Sequence, residues 1–243
     1  MRVYAIGDVH GHLDSLATAH ALIATDRRRT GDMAAPVVHL GDLIDRGPES
    51  AEVIEYLRRG PAEGDNWITL RGNHDDLFAA LLDGGDDAPD VRHWLNPRIG
   101  GQATLDSYGV SPGDDDSIRA ELLARVPDSH RRFLSALPRS YVLPGLIFAH
   151  AGIRPGVALD AQAPRDLIWI RDEFLTSTED HGALVVHGHT PVERVTLYPN
   201  RLNMDSGAAW GGPVSAAVIE EGRVALLTPD GRRWLQPEPP PVP

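Results

Sequence analysis

The sequence predicts an α/β domain built on a parallel sheet, and three observations support that prediction. Short apolar runs rich in β-branched or aromatic residues occur at 2–6, 36–40 and 66–70, as buried strands do. Helical patterns lie between them, at about 13–27 and about 49–59. Strand and helix therefore alternate at intervals of roughly 30 residues, which is the spacing of βαβ units and indicates parallel strands.

The rest of the chain adds a helical middle and a strand-rich second half. Between about 76 and 138 the pattern is helical and interrupted by loops, including two acidic, turn-rich stretches at 83–90 and 111–117. Six strand-like runs follow, at 141–149, 183–187, 194–198, 201–204, 214–219 and 223–227. We expect one domain over 1–235 and a disordered, Pro-rich tail over 236–243.

Length and charge limit the classes of function. The 243 residues are 42% hydrophobic, which is enough for a buried core, and no apolar run reaches the ~18 residues of a membrane span. The apolar run at the N-terminus ends at residue 6, which is too short for a signal sequence. A net charge of −12 argues against nucleic acid as a partner, because such binding needs a basic surface.

Two residue types are missing from the sequence. Without cysteine there is no disulfide framework, thiolate chemistry or Cys-ligated zinc, and a cytoplasmic location is expected. All 23 basic residues are arginines, which excludes lysine Schiff bases and P-loop lysines. The excess of carboxylates over arginines is consistent with metal binding or with simple solubility.

Polar clusters follow the predicted strands at the point where each strand ends. AIGDVHG, LGDLIDRGP and LRGNHDD follow the three early strands, and LIFAHAG and LVVHGHT end two later ones. Because the carboxyl ends of parallel strands meet at one edge of a sheet, where ligands bind, these side chains should converge. The candidates are Asp8, His10, Asp42, Asp45, Arg46, Asn73, His74, Asp75, His150, His187 and His189.

The chemistry of these candidates favours metal ions. Asp, His and Asn without Cys form a ligand set suited to Mn, Fe or Zn. The candidates are more numerous than one ion requires. Two ions ~3.5–4 Å apart that share a bridging carboxylate would use them, as in two-metal phosphatases and nucleases.

The motifs GDVHG, GDLIDRG, GNHD, HAG and HGHT together resemble the ordered signature of the calcineurin-like metallophosphoesterases. They are most similar to the phosphoprotein-phosphatase branch with its bacterial and phage members, and WIRDEF and MDSGAAWGG extend the match. The resemblance implies two mixed β-sheets packed as a sandwich and flanked by helices. It also implies a site for two metal ions at the carboxyl ends of the strands.

The resemblance further implies which residues hold the ions. Six residues would do so: Asp8, His10, Asp42, Asn73, His150 and His189. Asp8 and His10 would bind the first ion, Asp42 would bridge, and the others would complete the second site. The ions would be Mn²⁺, with Fe or Zn as alternatives, and a hydroxide bridging them would attack the phosphorus.

The remaining roles concern the substrate. By the same resemblance, Arg46, Arg171 and Asn73 would contact the phosphoryl oxygens, and the planar fork of arginine matches phosphate. Asp45 would orient His74, which would protonate the leaving oxygen as general acid.

Other polar residues receive structural interpretations. We expect His39 to be a packed strand residue and His187 to support the site without ligating an ion. Asp75 and Asp76 would stabilise the N-terminus of the helix that follows them.

Three hypotheses remain for the substrate. The chain could hydrolyse phosphoserine or phosphothreonine in proteins, hydrolyse diadenosine tetraphosphate or another small phosphorylated metabolite, or act as a binding module that kept only the fold. The third is weak, because no expected ligand is missing.

HAGIRPG and the tryptophan of MDSGAAWGG resemble the bacterial tetraphosphatases, but those enzymes typically carry alanine where this chain has Asp45. The acidic stretches would disfavour a polyanion if they lie near the cleft, or they are solvated surface. We therefore favour the protein phosphatase.

Overall fold

The computed structural model describes residues 1–84 and 89–239. Its strands are β1 (Arg2–Ile6), β2 (Val37–His39), β3 (Trp67–Thr69), β4 (Ser140–Leu143), β5 (Leu146–Ala149), β6 (Leu184–His187), β7 (Thr196–Leu197), β8 (Arg201–Asn203), β9 (Ala216–Glu220), β10 (Arg223–Thr228) and β11 (Gly231–Trp234). Its α-helices are α1 (Leu13–Thr30), α2 (Ser50–Ala62), α3 (Asn73–Asp83), α4 (Val91–Trp94), α5 (Gly101–Ser107), α6 (Asp115–Arg125), α7 (Asp128–Ala136), α8 (Pro164–Trp169) and α9 (Asp172–Leu175).

The strands form two mixed sheets, which confirms the predicted fold class. The first sheet has the order β11-β10-β9-β1-β2-β3, with β1, β2 and β3 parallel and β9 antiparallel to β1. The second has the order β4-β5-β6-β8-β7, with β5, β6 and β8 parallel. The three early strands therefore lie side by side, as the spacing of strand and helix predicts.

Alternating side chains pack the sheets against each other and against the helices. On β1, Val3 and Ala5 join a buried cluster that includes Phe148 and Val186 of the second sheet. Tyr4 and Ile6 point to the opposite face, into a cluster built with the helices of the first half of the chain. A third cluster joins the outer face of the second sheet to α8 and α9. The arrangement is a sandwich of two sheets flanked by helices.

One strand prediction was wrong in detail, and one strand was not predicted. The run 141–149 is not one strand but the hairpin of β4 and β5, because Pro144 and Gly145 turn the chain and Gly145 has φ 75°. Strand β11 was not predicted, since two of its four residues are arginines. It pairs with β10, and Arg232 forms ion pairs with Asp26 and Glu220.

The acidic stretch at 111–117 has a structural role. The Asp114 carboxylate caps α6 by accepting from the Ser117 N–H (2.9 Å), and Asp115 pairs with Arg92.

Four residues of the other acidic stretch, 85–88, lie outside the described residues. So do residues 240–243 of the predicted tail, although the Glu238 N–H donates to the Leu197 carbonyl (2.8 Å). The domain bounds stay a prediction. No helix in the described part of the chain is both long and apolar enough to cross a membrane.

Candidate active site

The loops that follow β1, β2, β3, β5 and β6 meet at one edge of the sandwich. Short backbone bonds tie them together: the N–H groups of Val9 and His10 donate to the Asp42 carbonyl (3.0 and 2.8 Å), and the Gly188 N–H donates to the His150 carbonyl (2.8 Å). The predicted site residues that they bury are Asp8, His10, Asp42, Asp45, Asn73, His74, His150 and His189.

Glycines allow the loops to approach this closely. A Cβ on Gly72 would lie 2.1 Å from an Asp42 carboxylate oxygen, and one on Gly188 would lie 1.9 Å from an Asp8 oxygen. Either substitution would push a side chain into a carboxylate that the site uses. Glycine is therefore required at these two positions because any side chain would clash with a neighbouring carboxylate, and not because the backbone has a positive φ.

Unusual backbone angles concentrate at the site. Six non-glycine residues of the described chain have positive φ, and five of them are predicted site residues: His10, Asp42, Asp45, Arg46 and His189. Each such residue costs about 1–3 kcal/mol and persists where the surrounding structure enforces it. Such strain is typical of functional sites, and here it aims side chains into one space.

Asp42 lies at the centre of two groups of potential metal ligands. One group is His10, Asp42 and His74, and the other is Asp42, His150 and His189; the ligand atoms within each group lie within 4.8 Å of one another. Asp42 belongs to both groups, which is the arrangement expected of a carboxylate shared by two ions.

The hydrogen bonds of the histidines leave ligand atoms facing inward. His10 donates from Nδ1 to the Ile44 carbonyl (2.9 Å), and His150 donates from Nδ1 to the Leu40 carbonyl (2.9 Å), because a carbonyl oxygen only accepts. Each neutral ring then carries its lone pair on Nε2. A second hydrogen bond that fixes the tautomer is the usual support of a metal-ligating histidine.

Asn73 places an oxygen between two of these rings. Its Oδ1 lies 3.0 Å from Nε2 of His150 and 2.8 Å from Nδ1 of His189. When His150 is protonated, its Nε2 donates to this oxygen; when the ring is neutral, Nε2 and Oδ1 are both acceptors, and a metal ion could bind them together. Asn73, His150 and His189 thus fit one metal ion as a set.

The charges at the site also call for cations. Burial alone would lower the pKa of His150, but the carboxylates of Asp42 and Asp8 overcome it and raise that pKa to about 10. Burial opposes the ionised form of Asp42, yet His150, His74 and His10 hold its pKa well below the usual value. The site therefore concentrates negative charge that either protons or metal ions can neutralise.

Asp8 lies beside these groups and not within either of them. Its carboxylate accepts from the His189 N–H (3.1 and 3.3 Å), and burial together with Asp205 raises its pKa well above the usual value. Asp205 is itself buried, just after β8, and the sequence assigned no role to it. Its position directly after a strand was the available signal. The ligand role of Asp8 stays a prediction.

His74 and Asp45 form a buried pair. The Nδ1 of His74 donates to Asp45 Oδ2 (2.7 Å), and Trp94 donates from Nε1 to the same oxygen (3.1 Å). The Thr104 hydroxyl donates to Asp45 Oδ1 (2.7 Å). Burial would lower the pKa of His74, but Asp42 and Asp45 raise it. Sequence reasoning paired His74 with Asp45 but missed Trp94 and Thr104, which come from helices distant in sequence.

The two predicted phosphate-binding arginines lie at the rim. Arg46 donates to Nε2 of His10 (2.8 Å) and to the Arg98 carbonyl (3.2 Å), and its guanidinium lies 5.2 Å from the ring of Trp210.

Arg171 is exposed and donates to the Thr190 hydroxyl (3.2 Å). Arg171 is also close enough to contribute to a lowered pKa of His189, about 2, for which burial and His150 are the larger causes.

His39, His187 and Asp75, which we expected to have structural roles, are held by hydrogen bonds around the site or in the first sheet. His39 is buried and contacts His20, Nε2 to Nε2, at 3.0 Å. His187 is buried and donates from Nδ1 to the Gly188 carbonyl (3.0 Å). Asp75 does more than cap a helix: its carboxylate accepts from the N–H groups of Gly72 (2.8 Å) and Leu43 (2.9 Å), which joins two of the site loops.

A carboxylate shared by two sets of potential metal ligands, with arginines at the rim, is the arrangement expected of a metallohydrolase that acts on a phosphorylated substrate. Residues 1–227 match the calcineurin-like phosphoesterase family, and the chain belongs to that family. Membership makes it a phosphoric ester hydrolase and implies a dinuclear metal site, which the donor set of the five loops fits.

Curated relatives carry two kinds of name. The serine/threonine-protein phosphatase 1 of Salmonella typhimurium is 27% identical over 234 residues, which cover 90% of this chain and 92% of that protein. A symmetrical bis(5'-nucleosyl)-tetraphosphatase of Paracidovorax citrulli is 32% identical over 235 residues, covering 96% and 69%. The asymmetrical bis(5'-nucleosyl)-tetraphosphatase PrpE of Halalkalibacterium halodurans is 25% identical over 239 residues, covering 91% of each.

Solved structures share the fold at lower identity. A cold-active protein-tyrosine phosphatase of a Shewanella species aligns with a TM-score of 0.61 and 18% identity, over 97% of this chain and 80% of that one. A metallophosphoesterase from Sphaerobacter thermophilus aligns with a TM-score of 0.51 and 18% identity, over 97% and 90%. These structures support the fold alone.

Proposed function

We propose that the protein is a phosphomonoesterase that hydrolyses phosphoserine and phosphothreonine in proteins. The observation that carries this proposal is the buried pair of His74 and Asp45, held at 2.7 Å with both Asp45 oxygens hydrogen-bonded. Such a pair suits a general acid, because Asp45 fixes the tautomer of His74 and favours its protonated form.

The leaving group decides how much a general acid matters. The alkoxide of serine is a poor leaving group, comparable to hydroxide from water, whose pKa is about 15.7. Cleavage of a dinucleoside polyphosphate expels a nucleoside phosphate, whose terminal phosphoryl group has a second pKa of about 6, and it needs little proton donation. A site that keeps a buried aspartate behind its acid is therefore better matched to a phosphoprotein.

Each residue then has a defined task. Two divalent ions, held by Asp8, His10, Asp42, Asn73, His150 and His189, would supply water activation and neutralisation of phosphoryl charge. Arg46, Arg171 and Asn73 would orient the phosphoryl oxygens. His74 would place its Nε2 proton on the leaving oxygen, while Asp45 holds its Nδ1.

We further propose Mn²⁺ as the resident ion and the cytoplasm as the location. Carboxylate, amide and imidazole ligands suit Mn²⁺, with Fe and Zn as alternatives, and the sequence has no cysteine to favour softer metals. The same lack of cysteine fits a reducing compartment.

A symmetrical dinucleoside tetraphosphate hydrolase is the second candidate. One of the relatives described above is named as a symmetrical tetraphosphatase, and another as an asymmetrical one. Trp210 is 68% exposed beside Arg46, where its indole offers a stacking face for an adenine. This exposed tryptophan is the feature of the site that favours the second candidate.

A side-by-side assay tests the proposal. We expect the manganese-loaded protein to hydrolyse a phosphoserine peptide with a higher kcat/KM than diadenosine tetraphosphate, and Trp210→Ala to leave the peptide reaction nearly unchanged. A preference for the tetraphosphate that Trp210→Ala abolishes would establish the second candidate instead.

The role of Arg171 can be tested separately. Arg171→Ala should lower kcat/KM for p-nitrophenyl phosphate roughly ten- to a hundredfold, because a hydrogen bond to a charged group is worth about 1.5–3 kcal/mol. Metal content should not change. The exposed Arg165→Ala is the matched control and should be nearly silent. If Arg171→Ala behaves like Arg165→Ala, Arg171 does not bind the phosphoryl group.

A further inference from the structure

A cavity of about 840 Å³ runs along α2, outside the metal site. Its walls come from α2 between Ala51 and Glu63, from Asp65 and Trp67 at β3, and from the first residues of α7. Its volume lies within the ~300–1,000 Å³ that is usual for ligand sites. Nothing in the proposed catalytic reaction uses this cavity.

Aromatic surface forms one side of the cavity. The rings of Tyr56 and Trp67 are half-buried, with centroids 5.4 Å apart and planes tilted by 35°. Gly60 allows α2 to lie against the indole, since a Cβ there would come within 2.0 Å of it. Aromatic rings at a partly open site attract planar and cationic groups.

Negative charge surrounds these rings. Four carboxylates and two guanidiniums line the cavity. Arg58 pairs with Glu55 (2.8 Å) and Arg59 pairs with Glu63 (2.9 Å). The remaining two carboxylates, Glu52 and Asp65, are exposed and have no ion pair within residues 1–84 and 89–239. The local charge is therefore −2 without a compensating side chain.

The field of these carboxylates acts on neighbouring hydroxyls. Burial and Asp65 raise the pKa of Tyr56, and burial together with Glu52 and Glu55 raises the pKa of Tyr108. Tyr56 therefore stays a neutral hydroxyl that can accept or donate a hydrogen bond inside the cavity.

We propose that this cavity binds an arginine-containing, basic peptide segment. A guanidinium is planar, stacks on aromatic rings and forms forked bonds to a carboxylate, so it fits the rings of Tyr56 and Trp67 better than an ammonium does. Glu52 lies in the first turn of α2 and Asp65 beyond the end of this helix, so a segment with two arginines could pair with both carboxylates. Resting on the proposed function, the segment belongs to the phosphoprotein substrate. The cavity begins at the first turn of α2, where the Ser50 hydroxyl accepts from the Asp45 N–H (3.2 Å).

Calorimetric titration of the manganese-loaded protein with an unphosphorylated peptide tests the proposal. The probe is a glycine-flanked peptide with two arginines, and its matched control carries citrulline, the neutral isostere, in their place. We expect the citrulline peptide to bind at least about tenfold more weakly, a factor that corresponds to about 1.4 kcal/mol. We expect the same loss for the arginine peptide on the double variant Glu52→Gln, Asp65→Asn.

A second double variant separates the cavity from long-range attraction. Asp116→Asn with Asp230→Asn changes the net charge equally at exposed carboxylates outside the cavity and should bind the arginine peptide within about twofold of the wild type. Equal losses in the two double variants would overturn the proposal. Binding of the same peptide with lysine in place of both arginines, as tight as that of the arginine peptide, would also overturn it, because no planar group would then be required.

The outcome is independent of catalysis, because the titration involves no turnover. Turnover of p-nitrophenyl phosphate should be unchanged in the variant Glu52→Gln, Asp65→Asn. A protein that binds the arginine peptide but hydrolyses no phosphopeptide would contradict the proposed function and support the cavity's ligand. A protein that hydrolyses phosphopeptides but does not distinguish arginine from citrulline would contradict the cavity's ligand alone.

Discussion

Asp42→Asn should nearly abolish turnover and lower the metal content of the purified protein. Asp42 is common to both groups of potential ligands, and its charge is the one that two ions would share. Two-metal sites supply several kcal/mol of transition-state stabilisation, so we expect kcat/KM for p-nitrophenyl phosphate to fall at least about a hundredfold. Elemental analysis of the purified variant, alongside the rate, measures both effects.

The control for this variant is the exposed Asp14→Asn, which should keep full activity and metal content. The fold should survive Asp42→Asn, because asparagine has the same shape and keeps an oxygen that can accept from the His74 N–H. Thermal unfolding of the metal-free proteins checks this point. If the Asp42→Asn protein retains two ions and normal turnover, the two ions do not share the Asp42 carboxylate.

His74→Asn should damage hydrolysis of a phosphoserine peptide far more than hydrolysis of p-nitrophenyl phosphate. General-acid help is worth ~10²–10⁴ in rate and matters most for the worst leaving group. The alkoxide of serine is far more basic than a phenolate, since even tyrosine has a pKa of about 10. Asp45→Asn should show the same pattern more mildly, because Asp45 only orients and charges the imidazole. Steady-state kinetics on both substrates measure the ratio.

Equal losses on the two substrates would change the interpretation of His74. His74 also lies in one group of potential ligands with His10 and Asp42, and its Nε2 is 3.9 Å from an Asp42 oxygen. A uniform loss together with lower metal content would make His74 a ligand and not the acid. Metal analysis of His74→Asn therefore belongs with the kinetics.

The strand-end clusters were predictable because topology alone brings them together. Once β1, β2 and β3 are parallel neighbours, residues such as Asp8, Asp42 and Asn73 must share one edge. The local sequence also marks these loops, since glycine beside Asp or His allows close approach.

The supporting residues were harder to predict. Trp94 and Thr104 reach Asp45 from α4 and α5, and nothing in their local sequence indicates where those helices pack. Asp205 follows the predicted run 201–204, but only the folded structure shows that it is buried close enough to raise the pKa of Asp8. Strand β11 carries two arginines and little hydrophobic signal, and its Arg232 pairs with Asp26 and Glu220 from other elements, which the local sequence does not indicate.

Anomalous diffraction from manganese-soaked crystals of the wild-type protein tests the account most directly. We expect two peaks about 3.5–4 Å apart, both in contact with the Asp42 carboxylate, one beside His10 and the other among Asn73, His150 and His189. A single peak, or two peaks that do not share Asp42, would contradict the dinuclear centre on which the proposed function depends.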